Sequence, residues 1–285
     1  MTRIFDSHCH IYPVKIAQKA IESVDHFYGG LPGCPHDGTA ETLLACGTAE
    51  GISHFIVHSV ATRPEQVLSI NRFISESVER AKGAFTGLGA IHPDADCLRE
   101  DFEQLTALGL KGVKIHPDFQ RFEADSIKAF RLYELAEACG LPILIHTGDH
   151  RYDYSNPERM VRVLRAFPGL RFIGAHLGGW SVWDRAEALL PAYPNFWVDT
   201  SSSFHWLGPE RTLRIIRAFG ADRVLFGTDY PMWPQKPEID FLRSLPLTEE
   251  EKEQILWKNA AALYPENPDS RPLPMKFLDD KRTVS

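Results

Sequence analysis

Hydrophobic and polar positions along the chain switch repeatedly between two periods. Short apolar, β-branched runs predict strands, and stretches with apolar residues three or four apart predict helices. The first run, Ile4-Phe5-Asp6-Ser7-His8-Cys9-His10, reads as a strand that starts almost at the N-terminus. Side chains alternate faces along a strand, so Asp6, His8 and His10 are expected on one face and Phe5, Ser7 and Cys9 on the other. Residues 11–38 carry the cluster Gly29-Gly30-Leu31-Pro32-Gly33-Cys34-Pro35, which predicts a long loop excursion.

A regular rhythm follows. Strands are predicted at Ile52 to Val60, Phe85 to His92, Leu110 to Pro117, Pro142 to Gly148, Leu170 to Leu177, Phe196 to Thr200 and Val224 to Asp229. Helical patterns lie between them. The stretch opened by Pro64 spaces Val67, Ile70, Ile74, Val78 and Ala81 for one helix face, and Asn156-Pro157 is a cap followed by proline at the first helical position. Others are expected at Thr39 to Glu50, Leu98 to Leu108, Ile127 to Cys139, Trp183 to Ala192 and Pro209 to Phe219. A last one, opened by Thr248 and Glu251 as a capping box, reaches about Leu263.

Eight strands alternating with helices in 285 residues predict an α/β fold, a (β/α)8 TIM barrel. The expected organisation is one domain over residues 1–265, with the insertion near 11–38, and a C-terminal tail over 266–285 marked by Pro268, Pro272 and Pro274. A doubly wound open sheet would show a Gly-rich phosphate turn after an early strand, and the sequence has none.

Composition narrows the partners. With 44% hydrophobic and 24% charged residues the chain is an ordinary globular protein, and a net charge of -7 without long acidic blocks gives no attraction to nucleic acid or to an anionic membrane. The partner expected is a small molecule. Five cysteines at irregular spacing form no CxxC pair and no disulfide framework, no apolar run spans a membrane, and a cytoplasmic location is expected.

The chemistry collects at the predicted strand ends, where such barrels carry their active sites. His10, His58, His92, Lys114, His116, His146, His176 and Asp229 all stand just before a loop. Polar groups so placed are costly to bury unless they are satisfied, which argues against core filling. Two imidazoles one residue apart, as in His8 and His10, are suited to one metal ion.

The motifs DSHCH, GVKIHP, ILIHTG, FIGAHLGG and FGTDYP, with the late Lys258-Asn259-Ala260, resemble the amidohydrolase superfamily. The resemblance is to its branch of TIM-barrel enzymes related to aminocarboxymuconate semialdehyde decarboxylase, and it covers residues 6 to about 264. It implies that His8, His10, His146 and Asp229 bind one divalent metal ion, zinc first and manganese as the alternative, and that His176 is catalytic with Asp229. Binuclear relatives bridge two metals through a carboxylated lysine on the fourth strand, where Lys114 stands. Strand parity puts His116 nearer the mouth and Lys114 a layer deeper, so one metal is expected. Family members often dimerise, which makes a homodimer the expected assembly where there is one.

Lys114, His116, Arg151 and Trp180 are the candidate substrate-binding residues, Arg151 because its planar fork pairs both oxygens of a carboxylate. His150, Tyr152, Asp153, Trp183, Trp206, Tyr230 and Trp233 also fall near the mouth. His58 and His92 are expected as hydrogen-bonded rim residues, Asp6 as support behind the ligands and Cys9 as packing. The leading function is hydrolysis of an amide or ester-like bond by a metal-activated water. The alternative is decarboxylation or hydration of a small carboxylic acid on the same cage, with a non-catalytic barrel last.

Overall fold

The computed structural model describes residues 3–30 and 34–265; the 266–285 tail and part of the glycine-proline cluster lie outside the described residues. The strands are β1 (Phe5–His10), β2 (His54–His58), β3 (Phe85–Gly87), β4 (Gly89–Ala90), β5 (Val113–Ile115), β6 (Ile143–Ile145), β7 (Phe172–Gly174), β8 (Phe196–Asp199) and β9 (Val224–Leu225). All pair in parallel and in sequence order. β3 and β4 are two halves of one barrel strand. Its ladder changes partner at Leu88, whose N–H donates to Val57 O (2.9 Å) while that of Gly89 donates to Gly112 O (2.9 Å). The barrel closes where Ser7 N–H donates to Phe226 O (2.8 Å) and His10 N–H to Tyr230 O (2.7 Å).

The eight predicted strands are thus present, shorter than expected because their last residues leave the ladder for the loops of the mouth. Phe5, Ile56, Leu88, Leu144, Ile173 and Leu225 fill the floor of the lumen, and Ala260, Leu263 and Tyr264 from the C-terminal helix plug it from below. A larger apolar layer joins the outer strand faces to the helices.

Three features depart from the pattern read along the sequence. The excursion after β1 is largely a helix, Val14–Tyr28, buried at Ala17 and Ile21 and ended by Gly29 in the left-handed region (φ 79°). Gly29, the first residue of the cluster that suggested a loop, terminates it. A second helix without a sequence prediction, Gln235–Ser244, follows the last strand. The third departure is in β1. Pairing with β2 shifts between Asp6 and Cys9, so that Ser7 and His8 together face Ile56. Parity therefore changes within the strand. Phe5 and both histidines point into the lumen, whereas Asp6 turns aside to accept hydrogen bonds from Thr228 N–H (2.9 Å) and Thr228 Oγ1 (2.6 Å). Asp6 does not share the ligand face, because the extra residue breaks the alternation.

No described helix is long and apolar enough to cross a membrane. On the Gln235–Ser244 helix, Glu238 is buried beside the charges of Asp6 and Asp229, and burial with those charges pushes its carboxyl up to about 8. An acid whose pKa in the folded state exceeds its ordinary 4.5 holds more protons folded than unfolded between those values, so folding stability falls as pH rises through that window. Glu238→Gln should therefore melt several degrees above the parent at pH 8 and close to it at pH 4.5 in thermal unfolding scans. Parallel melting curves for the two proteins across this range would contradict the assignment.

Candidate metal centre

Three imidazoles at the mouth each have one ring nitrogen fixed by a protein acceptor, whereas His10 Nδ1 has no partner among the described residues. His8 Nδ1 donates to Asp199 Oδ2 at 2.8 Å, His146 Nε2 to Gly148 O at 3.1 Å and His176 Nδ1 to Ser201 O at 3.0 Å. A carbonyl or carboxylate only accepts, so the ring hydrogens sit on those atoms and the opposite nitrogens present bare lone pairs. The ring nitrogens fall in two close groups. His146 Nδ1 and His176 Nε2 are 3.0 Å apart with no hydrogen between them. His8 Nε2 and His10 Nε2 are 3.2 Å apart, and Asp229 Oδ1 lies 3.5 and 3.4 Å from them.

Such an arrangement repels itself unless positive charge enters. The Lys114 ammonium partly supplies it, with Nζ 3.2 Å from His8 Nε2. Ligand bonds of about 2.1 Å place neighbouring donors about 3.0–3.4 Å apart in tetrahedral or octahedral geometry, so the observed separations fit a divalent cation. Burial and the Lys114 charge hold His8 down to about 4, so it is neutral at neutral pH. Burial alone would raise Asp229, but the imidazoles of His8, His10 and His176 outweigh it and keep the carboxylate well below its ordinary range.

The backbone is strained where these groups are delivered. His176 (φ 60°) and Asp229 (φ 62°) both adopt the left-handed region, at about 1–3 kcal/mol each for non-glycine residues. Gly227 lets the last strand approach β1, since a Cβ there would lie 2.9 Å from His8 Cβ. Behind the ligands, Ser202 Oγ donates to Asp229 Oδ2 (2.5 Å) and receives Trp233 Nε1–H (2.7 Å).

His10, Lys114, His146, His176, Trp180 and Asp229 all line one cavity, with His116 in its wall. Lys114 is not too deep to reach the cage: its four-carbon stem carries Nζ past the layer of its own Cα. His116 instead stacks between Phe119 (3.8 Å) and His146 (3.9 Å). Arg151 does not present its fork to the cavity. Its guanidinium is committed to Asp149 (Nη2–Oδ2 2.6 Å) and Phe27 O (2.5 Å), and it ties the helix Val14–Tyr28 to the loop after β6. His58 is no hydrogen-bonded rim residue either. It is fully buried against His8 and His10, and neither ring nitrogen has a partner.

Among the outlying residues, His92 Nδ1 accepts from Asp94 N–H and His150 bonds Ser181, while Tyr152 is exposed and Asp153 pairs with Arg159. Trp183 Nε1–H supports the His176 carbonyl, Tyr230 bonds Thr39 O, Cys9 is buried packing, and Trp206 and Trp233 reach the cavity.

The sequence reading missed Asp199 and Tyr28. Asp199 closes the seventh strand, the same signal that marked Asp229 on the eighth. Among the described residues two trios bring ligand atoms within 4.8 Å, His8 with His10 and His58, and His116 with Asp118 and His146. There His146 Nε2 carries its hydrogen to Gly148 O and His116 Nδ1 accepts from Phe119 N–H (3.3 Å), so neither offers a free lone pair.

The amidohydrolase family model, described as "Amidohydrolase", matches residues 5–265. The chain belongs to the amidohydrolase family. A gamma-resorcylate decarboxylase from Polaromonas sp. is 25% identical over 249 residues, covering 68% of this chain and 74% of that protein. An uncharacterised TIM-barrel protein from Bordetella bronchiseptica superposes with a TM-score of 0.76 at 23% identity, over 93% of this amidohydrolase and 99% of that chain. A Polaromonas dihydroxybenzoic acid decarboxylase, solved with manganese and the inhibitor 2-nitroresorcinol, gives 0.69 at 19% identity, over 92% and 97%. These solved structures bear out the barrel.

The Asp199 carboxylate fixes which nitrogen of His8 faces the cage. Asp199→Asn can present its amide N–H to Nδ1 and turn the ring hydrogen toward the ligands. Manganese and zinc affinity should fall about 10- to 100-fold in competition with a chelating dye. Affinity equal to the parent's would mean that the tautomer is set elsewhere.

Proposed function

We propose that this amidohydrolase is a metal-dependent decarboxylase of a small hydroxy-substituted aromatic acid. The approach of the His8 and His10 ring nitrogens to each other and to the Asp229 carboxylate carries the metal part of the reading. The named relatives carry the choice of reaction. Hydrolysis, put first by the sequence, falls behind because two of the three relatives named are decarboxylases, and manganese moves ahead of zinc because the solved Polaromonas enzyme contains it.

His8, His10, His146 and Asp229 would hold the cation. Once bound, it would supply a chelating centre that takes the acid's carboxylate and adjacent hydroxyl and spreads their negative charge. The protein's own residues do the remainder. Aromatic side chains from Phe119, Trp180, Trp206 and Trp233 wall the cavity and suit a flat ring. The Lys114 ammonium, its pKa brought down to about 8 by burial, faces the same space and favours an anion.

In the reaction the bond between ring and carboxylate breaks, carbon dioxide leaves, the electron pair left on the ring carbon takes one proton supplied by water, and the hydroxide left behind combines with the carbon dioxide as bicarbonate. Asp229, ionised at rest and held by Ser202, accepts that proton from water and passes it to the ring carbon. His176, with Nδ1 committed to Ser201 O, keeps its Nε2 lone pair available to accept from a substrate hydroxyl and so orient the ring.

The test is a panel of dihydroxybenzoates and of amide, ester and lactone substrates offered to manganese-loaded protein. Release of carbon dioxide is expected, and Asp229→Asn, with its metal content restored, should lose about 10²- to 10⁴-fold in rate. Turnover of an amide, ester or lactone with no carbon dioxide from any acid would return the enzyme to hydrolysis. A metal-replete Asn variant of normal activity would remove Asp229 from proton transfer.

A further inference from the structure

The roof of the cavity is the C-terminal end of the helix Val14–Tyr28, and hydrogen-bond directions there are fixed by the backbone. The N–H of Phe119 can only donate, and it points at His116 Nδ1 (3.3 Å). A ring nitrogen that accepts carries no hydrogen, so the ring hydrogen of His116 is on Nε2. His116 Nε2 lies 3.1 Å from the Tyr28 hydroxyl. The imidazole is therefore the donor and the phenol oxygen the acceptor. Among the described residues no acceptor receives the hydrogen of Tyr28, whose side chain lines the same cavity as His10, His146, His176 and Asp229. Burial pushes the phenol well above its ordinary range, so the hydrogen stays on at neutral pH.

The group is also held in place. The Tyr28 ring meets Trp180 edge-on at 4.9 Å, and the Arg151 guanidinium lies 5.1 Å from its centroid. Arg151 Nη1 donates to the carbonyl of Phe27, one residue earlier, at 2.5 Å. A donor whose oxygen is already satisfied, whose ring is clamped and whose hydrogen is unspent is preorganised to meet an oxygen entering the cavity.

We propose that Tyr28, supported by His116, forms a binding subsite for a second ring oxygen of the aromatic acid, one other than the carboxylate and hydroxyl pair bound at the cage. The ligand class is a 2-hydroxybenzoate bearing a further hydroxyl. This rests on the proposed function, and it assigns a selectivity role to a residue outside the metal set. Arg151 acts as a positioning residue through Phe27 and the Tyr28 ring.

Tyr28→Phe removes the donor and keeps the ring. Binding to manganese-loaded protein would be measured calorimetrically for 2-hydroxybenzoate and for the 2,3-, 2,4-, 2,5- and 2,6-dihydroxybenzoates, with metal content and melting temperature recorded for both proteins. The variant should bind at least one dihydroxy isomer about tenfold more weakly, as expected for one lost hydrogen bond, and 2-hydroxybenzoate nearly as the parent does. Equal affinities for all five acids, or the same loss for the monohydroxy acid, would overturn the subsite. Arg151→Lys should show a weaker loss on the same isomer, since lysine cannot hold Asp149 and the Phe27 carbonyl together. A parent protein that binds the acids with this selectivity but releases no carbon dioxide would overturn the decarboxylase reading and leave the subsite standing. One that binds none of them would overturn both.

Discussion

Everything at the mouth of this barrel depends on where three ring hydrogens are held. Asp199 takes that of His8, Gly148 O that of His146 and Ser201 O that of His176. Because each acceptor faces away from the cavity, each lone pair faces into it. Two bare nitrogens at 3.0 Å are unfavourable by themselves, and the fold tolerates them because the surrounding strands leave the rings no room to turn away. The centre is thus preorganised for positive charge. The same logic separates it from the neighbouring trio of His116, Asp118 and His146, where the facing nitrogens are already spent. Proximity alone would rank the two groups together; hydrogen positions distinguish them.

That geometry requires particular features of the barrel. The shift in pairing within β1 puts Phe5 on the lumen floor and both histidines at its mouth, which strict alternation cannot do. Asp6, displaced by the shift, becomes the group that fixes Thr228 next to Asp229 and so joins the first strand to the last. Gly227 permits the close approach at this seam. The C-terminal helix plugs the other end with Leu263 and Tyr264, leaving the upper layer of the lumen for polar side chains. Strain at His176 and Asp229 is carried where the reactive groups are delivered, and the apolar layers around the strands supply the stability that offsets it.

Much of this was legible in the sequence, for a physical reason. Buried parallel strands must be apolar along most of their length, so a histidine or aspartate at the end of one stands out, which pointed to the barrel and to polar residues at its mouth; the narrowing to His8, His10, His146, His176 and Asp229 came from the family resemblance. What was not legible depended on details that periodicity does not encode. A single bulged residue inverts the faces of β1. The reach of Lys114 comes from side-chain length, whereas parity describes only its Cα. Arg151 looked free because its partners, Asp149 and the Phe27 carbonyl, meet only in the folded chain. The helix Val14–Tyr28 was hidden by the glycines and prolines at its end, although Ala17, Ile21, Val24 and Tyr28 recur at helical spacing.

That hidden helix changes how the site is understood. Tyr28 bonds His116, His116 stacks on His146 at 3.9 Å, and His146 sends its lone pair toward the cage. The roof and the metal ligands are therefore one contiguous stack. A displacement of the helix would release His116 from Tyr28. Arg151, sitting over Phe27, Tyr28 and Trp180, is the clamp that resists it. Selectivity toward the substrate ring and the orientation of a proposed metal ligand then share a single mechanical support, and the segment that supplies it is the insertion between the first strand and the next helix. Families built on this barrel can vary such insertions without touching the strand ends. Here the insertion reaches back to the ligand shell, so the chemistry of the strand ends and the shape of the pocket are not independent.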